Sequence, residues 1–165
     1  VDDPENRNTV LNLIEDIPQR IYPVGRLDQD TSGLLLLTND GQLTYKLTHP
    51  SFEINKKYMV EVEGNINNKN LGKLENGVKL KDGITAPAEV KLLDRNNKRS
   101  IFSLKIHEGR NRQIRRMCKV LDHEVKELKR VSISFLTIDE IEVGEYRFLS
   151  NEEVKKLKQQ INNSK

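Results

Sequence analysis

A charged loop set against an uninterrupted apolar run constrains this chain more than any other feature. In residues 22–41, YPVGRLDQDTSGLLLLTNDG, Arg26 and Asp28 come just before four consecutive leucines at 34–37. The run is far too short to span a membrane and reads as a buried strand. Gly25 and Gly33 bracket the charges, and glycine allows backbone angles and close approaches that other residues do not. The pattern predicts a shaped loop at the edge of the core, with Asp28 held against a rigid floor.

At 165 residues the chain is one domain by length, large enough to bury roughly 70% of the surface its unfolded form exposes. The opening VDDPENRN is acidic and lacks the basic and apolar segments of a secretory signal. No apolar window approaches the roughly 18 residues of a spanning helix, so no membrane association is expected. A single cysteine, Cys118, rules out an internal disulfide framework and fits a reducing compartment, which makes the cytoplasm the expected location. The first residue is Val1 rather than Met, from which a missing upstream domain is expected.

The net charge of +3 conceals an asymmetry. Residues 95–131 carry 12 Lys/Arg against 4 Asp/Glu, while the rest of the chain carries 16 against 21. A basic face on a mildly acidic body fits polyanion binding, and it equally fits a solvated surface with no ligand.

Along the chain, Thr9 is placed to cap a short helix with Val10, Leu11, Leu13 and Ile14 as its apolar stripe, ended by Pro18. Strands are predicted over 21–24 and 34–38, then a turn at 39–41 whose Asn39 or Asp40 caps a helix to about His49. Residues 56–63, KKYMVEVE, alternate so that Tyr58, Val60 and Val62 share one face of a strand. A short helix is expected over 71–77 with Gly77 as C-cap, and strands over 78–80, 88–93 and 100–107. Asn111 is placed to cap a helix to about Leu121, with Ile114, Met117, Val120 and Leu121 as its apolar stripe. Strands follow within 125–138 and at 144–149. Ser150 and Glu153 have the spacing of a capping box that opens a last helix, 151 to about 161.

Several positions carry chemistry, each with a plain structural alternative. Asp28 alone in a loop is most often a turn former; next to Arg26 and an apolar strand, its charge would have to be held by a cation or by donors. Asp28 and Asp30 also have D-x-D spacing, a weak metal signal because hard cations want more oxygen ligands. His49, His107 and His123 are too scattered for a zinc site. Residues 110–119 place five cations in ten residues at a helix start, where free N–H groups favour anions. Arg115 lies closer to the apolar stripe than its neighbours do; turned inward, it requires an acidic partner. Tyr58 reads as a core tyrosine, or as a stacking platform for an unpaired base.

Taken together, GRLDQDTSGLLLLTNDG, KKYMVEVEG, EGRNRQIRRM and VKELKRVSI resemble the bacterial ribosomal RNA pseudouridine synthases of the RsuA/RluB type. The likeness runs from Asp3 through the 144–149 segment. It implies an α+β fold, a long and mostly antiparallel mixed sheet flanked by helices with a cleft across its middle. By resemblance Asp28 is the catalytic aspartate, Tyr58 the residue that stacks on the uracil and accepts its C5 proton, and Arg115 the arginine paired with the aspartate. Leu128 matches the apolar residue packed against the tyrosine and the base. Arg26 matches the arginine that holds the target nucleotide out of the stack. Arg110, Arg112, Arg116 and Lys119 are expected to contact the RNA backbone.

The implied reaction oxidises nothing and transfers nothing to a second molecule, so no cofactor and no metal are expected. The implied partner is ribosomal RNA, 23S rather than 16S, and the implied state a monomer. Such enzymes begin with a small S4-type RNA-binding domain and a strand with a Lys-Pro motif, so residues 1–165 are expected to be a catalytic-domain fragment. Two other readings stand beside this one: a non-catalytic RNA-binding module built on 95–131, and a metal-dependent hydrolase built on Asp28 and Asp30.

Overall fold

The structure, a computed structural model, describes residues 9–139 and 141–163. The polar stretch 1–8 and the end of the chain past 163 lie outside them. A short 3-10 helix, Val10–Ile14, opens at Thr9, whose N–H donates to Asn12 Oδ1 at 2.7 Å. Only Ile14 of its expected stripe is buried, and Leu13 faces solvent.

Three two-residue strands follow: β1 (Tyr22–Pro23), β2 (Ser32–Gly33) and β3 (Leu37–Thr38). The four-leucine run is therefore not the single strand expected over 34–38. Leu34 N donates to Arg130 O, whereas Leu36 O accepts from Val24 N. The run changes hydrogen-bonding partner partway along, and only Leu34 is fully buried. Helix α1 (Gly41–Thr48) comes next, capped by Asp40, whose carboxylate accepts from Gln42 N and Leu43 N.

The main sheet is built on β4 (Lys56–Glu63), whose bounds are those the alternation predicts. After β4 come helix α2 (Asn68–Asn76), the hairpin β5 (Lys79–Leu80) and β6 (Gly83–Ile84), and the long pair β7 (Glu89–Arg95) and β8 (Arg99–Ile106). Helix α2 starts three residues earlier than expected because Asn67 caps it through Asn70 N, and Gly77 ends it with φ +121°. Helix α3 (Gln113–Val120), β9 (Val125–Ile133), β10 (Leu136–Thr137) and α4 (Asn151–Asn163) complete the order. No strand forms at 144–149.

The sheet order is β10-β9-β4-β8-β7, with β2 also paired to β9. Every described pairing in it is antiparallel except β2 with β9, which makes the sheet mixed. One core cluster joins Val60, Val62, Phe102, Leu104 and Leu128 of the sheet to Leu74 of α2 and to Ile114, Met117 and Cys118 of α3. A second joins Val24, Leu34, Ile133 and Leu136 to Leu47 of α1 and to Leu157 and Ile161 of α4. The α+β, mostly antiparallel mixed sheet with flanking helices is the expected fold class.

Candidate active site

Residues 26–31 form the loop that enters β2. Thr31 N donates to Asp28 O at 2.9 Å, closing a turn around Gln29 and Asp30. At the loop's exit Gly33 has φ +120°, and a Cβ there would fall 2.2 Å from Arg130 O. Glycine is required at that point, since no side chain fits between the two backbones. At the entry Gly25 has φ +72°. The loop is therefore shaped at both ends, as the sequence predicts.

Arginines from the start of α3 hold this loop. Arg112, in the left-handed region at φ +48°, ψ +36°, occupies the N-cap position, and Asn111 does not cap the helix. That backbone turn directs Arg112 onto the loop, where its Nη1 and Nη2 donate to the two oxygens of Asp30 at 3.0 and 2.8 Å. Its Nη1 also stands 3.8 Å from Asp28 Oδ2. The hydrogen bond from Arg112 holds the Asp30 carboxyl below its ordinary range.

Arg115 turns inward, as expected, but it does not meet Asp28. Its Nη2 donates to Asp30 O at 2.6 Å and reaches Thr31 Oγ1 at 3.5 Å, and its Nε stands 3.5 Å from Asp30 Oδ1. Arg112 is thus the guanidinium beside Asp28, while Arg115 grips the loop backbone one turn further along. The helix stripe also differs from expectation. Val120 faces solvent, and Cys118 is buried in its place, with burial pushing its thiol up to about 12.

Tyr58 sits on β4 opposite Arg130 of β9 and Leu104 of β8, half-buried against the first core cluster. Leu128 is buried in the same cluster and lines a depression of about 400 Å³ with Gln29, Asp30, Thr31 and Ser32 of the loop and Lys126, Glu127 and Lys129 of β9. Arg26 is exposed.

The basic face is more self-occupied than its sequence suggests. Arg110 donates to Gly83 O, Ile84 O and Glu108 Oε1, bracing the β5–β6 turn. Arg116 makes two bonds to Asp82 at 2.8 and 3.2 Å. Lys119 stays exposed.

Four further polar residues went unread in the sequence. Gln113 is buried, and its Nε2 donates to Glu108 Oε2 at 2.8 Å. Burial opposes the Glu108 charge, but bonds from Ala86 N, Arg110 and Gln113 outweigh it and hold the carboxyl below its usual range. Arg130 is buried in the floor beneath the loop. The alternation of β4 already placed Lys56 on the face of Tyr58, a signal that reading the stripe from Tyr58 onward passes over.

The family model described as RNA pseudouridylate synthase matches residues 3–120. The chain belongs to the RNA pseudouridylate synthase family. Within this pseudouridylate synthase family, it is 51% identical over 94% of its length to ribosomal large subunit pseudouridine synthase B of Bacillus subtilis (strain 168). It is 41% identical over 83% of its length to the protein of the same name from Vibrio vulnificus (strain CMCP6). A solved structure titled a pseudouridylate synthase superposes with a TM-score of 0.77 at 36% identity, covering 83% of this chain. The chain spans 65%, 43% and 59% of the lengths of those three proteins. The likeness to the RsuA/RluB type stands on these matches.

Proposed function

We propose that the protein is a pseudouridine synthase that isomerises a uridine of ribosomal RNA, in the large subunit, and that residues 1–165 act as its catalytic domain. The observation that carries this reading is the loop of Asp28, clipped by Arg112 and Arg115 and joined to β9, where loop residues 29–32 line one depression with Leu128. Tyr58 packs on the core cluster that holds Leu128, and the two together are apolar and aromatic, suited to an unstacked base.

In this reading the N1–C1′ bond breaks, the detached uracil turns in place, C5 joins C1′, and the C5 proton leaves as N1 takes one up, so that the product is an isomer. Asp28 is the catalytic carboxylate: it adds to C1′ and is displaced when C5 attacks, or it takes the C2′ proton on a glycal route and returns it as C5 bonds to C1′. A guanidinium, that of Arg112, stands 3.8 Å from it. Tyr58 accepts the C5 proton. Arg115 fixes the loop through the Asp30 carbonyl and so positions Asp28. Leu128 packs against the base, and Arg26, at the exposed start of the loop, takes the place left by the flipped nucleotide. Lys119 and the outer atoms of Arg110, Arg112 and Arg116 meet the RNA backbone. The reaction needs no cofactor, the protein works as a monomer in the cytoplasm, and 23S rather than 16S rRNA is its partner. No helix among the described residues is long and apolar enough to cross a membrane.

Asp28→Asn is expected to abolish pseudouridine formation in a 23S rRNA transcript while leaving RNA affinity within a few-fold of wild type. Retained activity in that variant removes Asp28 from the mechanism. RNA binding by the wild type with no modified uridine would favour a binding module instead.

A further inference from the structure

Two cations flank Tyr58 on the sheet. Arg130 is its cross-strand partner on β9 and only 6% exposed. Arg130 Nε donates to Leu34 O at 2.9 Å, while its buried Nη2 donates to no atom among the described residues. Lys56 lies two positions before Tyr58 on β4, so the two side chains leave the same face about 7 Å apart. Its Nζ lies against the Gly109 backbone, where an added Cβ would be 3.5 Å away.

Glu108 supplies the opposing charge, but that carboxylate is committed to Ala86 N, Arg110 and Gln113. Burial first, then the charge of Arg130, push the Lys56 ammonium down to about 8. Holding two desolvated cations together is costly, and buried donors are normally satisfied by an acceptor.

We propose that Lys56 Nζ, with the buried charge of Arg130 behind it, receives a carbonyl oxygen of the target uracil and stabilises the negative charge the ring acquires on leaving C1′. The inference rests on the pseudouridine synthase reading. When the N1–C1′ bond breaks, its electron pair stays with the uracil and spreads over N1, O2 and O4. C5 uses that pair to bond to C1′, leaving an N1=C6 bond; departure of the C5 proton then restores the C5=C6 bond as N1 takes up a proton. Donors fixed beside the ring before the bond breaks lower the barrier, because they need no reorganisation as charge develops.

The test is single-turnover pseudouridine formation in a 23S rRNA transcript with protein in excess, together with RNA affinity measured separately. Lys56→Met is expected to slow the saturated rate by tenfold or more, with the Kd for RNA within twofold. Lys56→Arg is expected to recover most of the rate. The groups facing Lys56 are Tyr58 on its own strand, Arg130 on β9 and Glu108 after β8. Loss of the Lys56 proton near pH 8 therefore predicts a wild-type rate that falls above that pH, with the fall displaced upward in Lys56→Arg. If Lys56→Met fails to fold, Lys56→Gln carries the same expectation.

A saturated rate reduced less than tenfold overturns the proposal. So does a weakened Kd whose salt slope drops by about one with the saturated rate intact, the signature of a phosphate contact. A wild type that makes no pseudouridine refutes the functional reading itself, and this inference with it.

Discussion

Gly33 and Gly41 separate two uses of glycine. At Gly33 a methyl group would meet the Arg130 backbone at 2.2 to 2.8 Å, and the residue's φ of +120° strains any side chain. At Gly41, the first residue of α1, a methyl group meets nothing within 4 Å. Gly33→Ala is therefore expected to destabilise the protein by more than about 3 kcal/mol. Gly41→Ala should be neutral or stabilising by up to about 1 kcal/mol. Urea midpoints of the two variants check this, and equal midpoints would refute it. At this scale the sequence was partly legible. The loop's glycines could be read from residue type and spacing, whereas the roles proposed for Asp28 and Tyr58 came only through the family resemblance. The partner of Asp28 could not be read, because it depends on Arg112 adopting a left-handed backbone that its residue type does not advertise.

Elements whose signals are local came through best. The alternation of β4 needed no tertiary information, and neither did the opening of α4. There Ser150 N donates to Glu153 Oε1 at 2.9 Å, and Glu153 N donates to Ser150 Oγ at 3.1 Å. Arg147 adds two bonds to the same carboxylate, both at 2.8 Å. These bonds, that from Arg147 first, lower the Glu153 carboxyl to about 2, against 4.5 ordinarily. A depressed carboxyl stabilises the fold fully above about pH 4.5, and its contribution disappears as pH falls through about 2. The wild type should thus be more stable than Glu153→Gln at pH 6, with the margin shrinking toward pH 2, as urea titrations at both pH values would show. A margin independent of pH would mean that the carboxylate charge does not matter. The four-leucine run was read less well. An apolar tetrapeptide looks the same in sequence whether it keeps one neighbour or passes from β9 to β1, and only tertiary pairing decides.

The whole molecule rests on two apolar clusters sharing one sheet. Strand β9 belongs to both, giving Leu128 to one and Ile133 to the other. Phe102, fully buried in the first cluster, should cost about 3–5 kcal/mol when cut to Ala. Because β9 couples the clusters, that variant should melt in one transition at lower temperature, with tyrosine fluorescence and far-UV circular dichroism coinciding. Two separated transitions would show that the halves unfold independently. The sharing has a consequence for the proposed site as well. The loop of Asp28 is spliced onto one edge of β9 and the strand of Tyr58 onto the other, so a drift of that strand carries both along together. Both groups of the proposed site thus take their positions from a single strand rather than from separate halves of the fold.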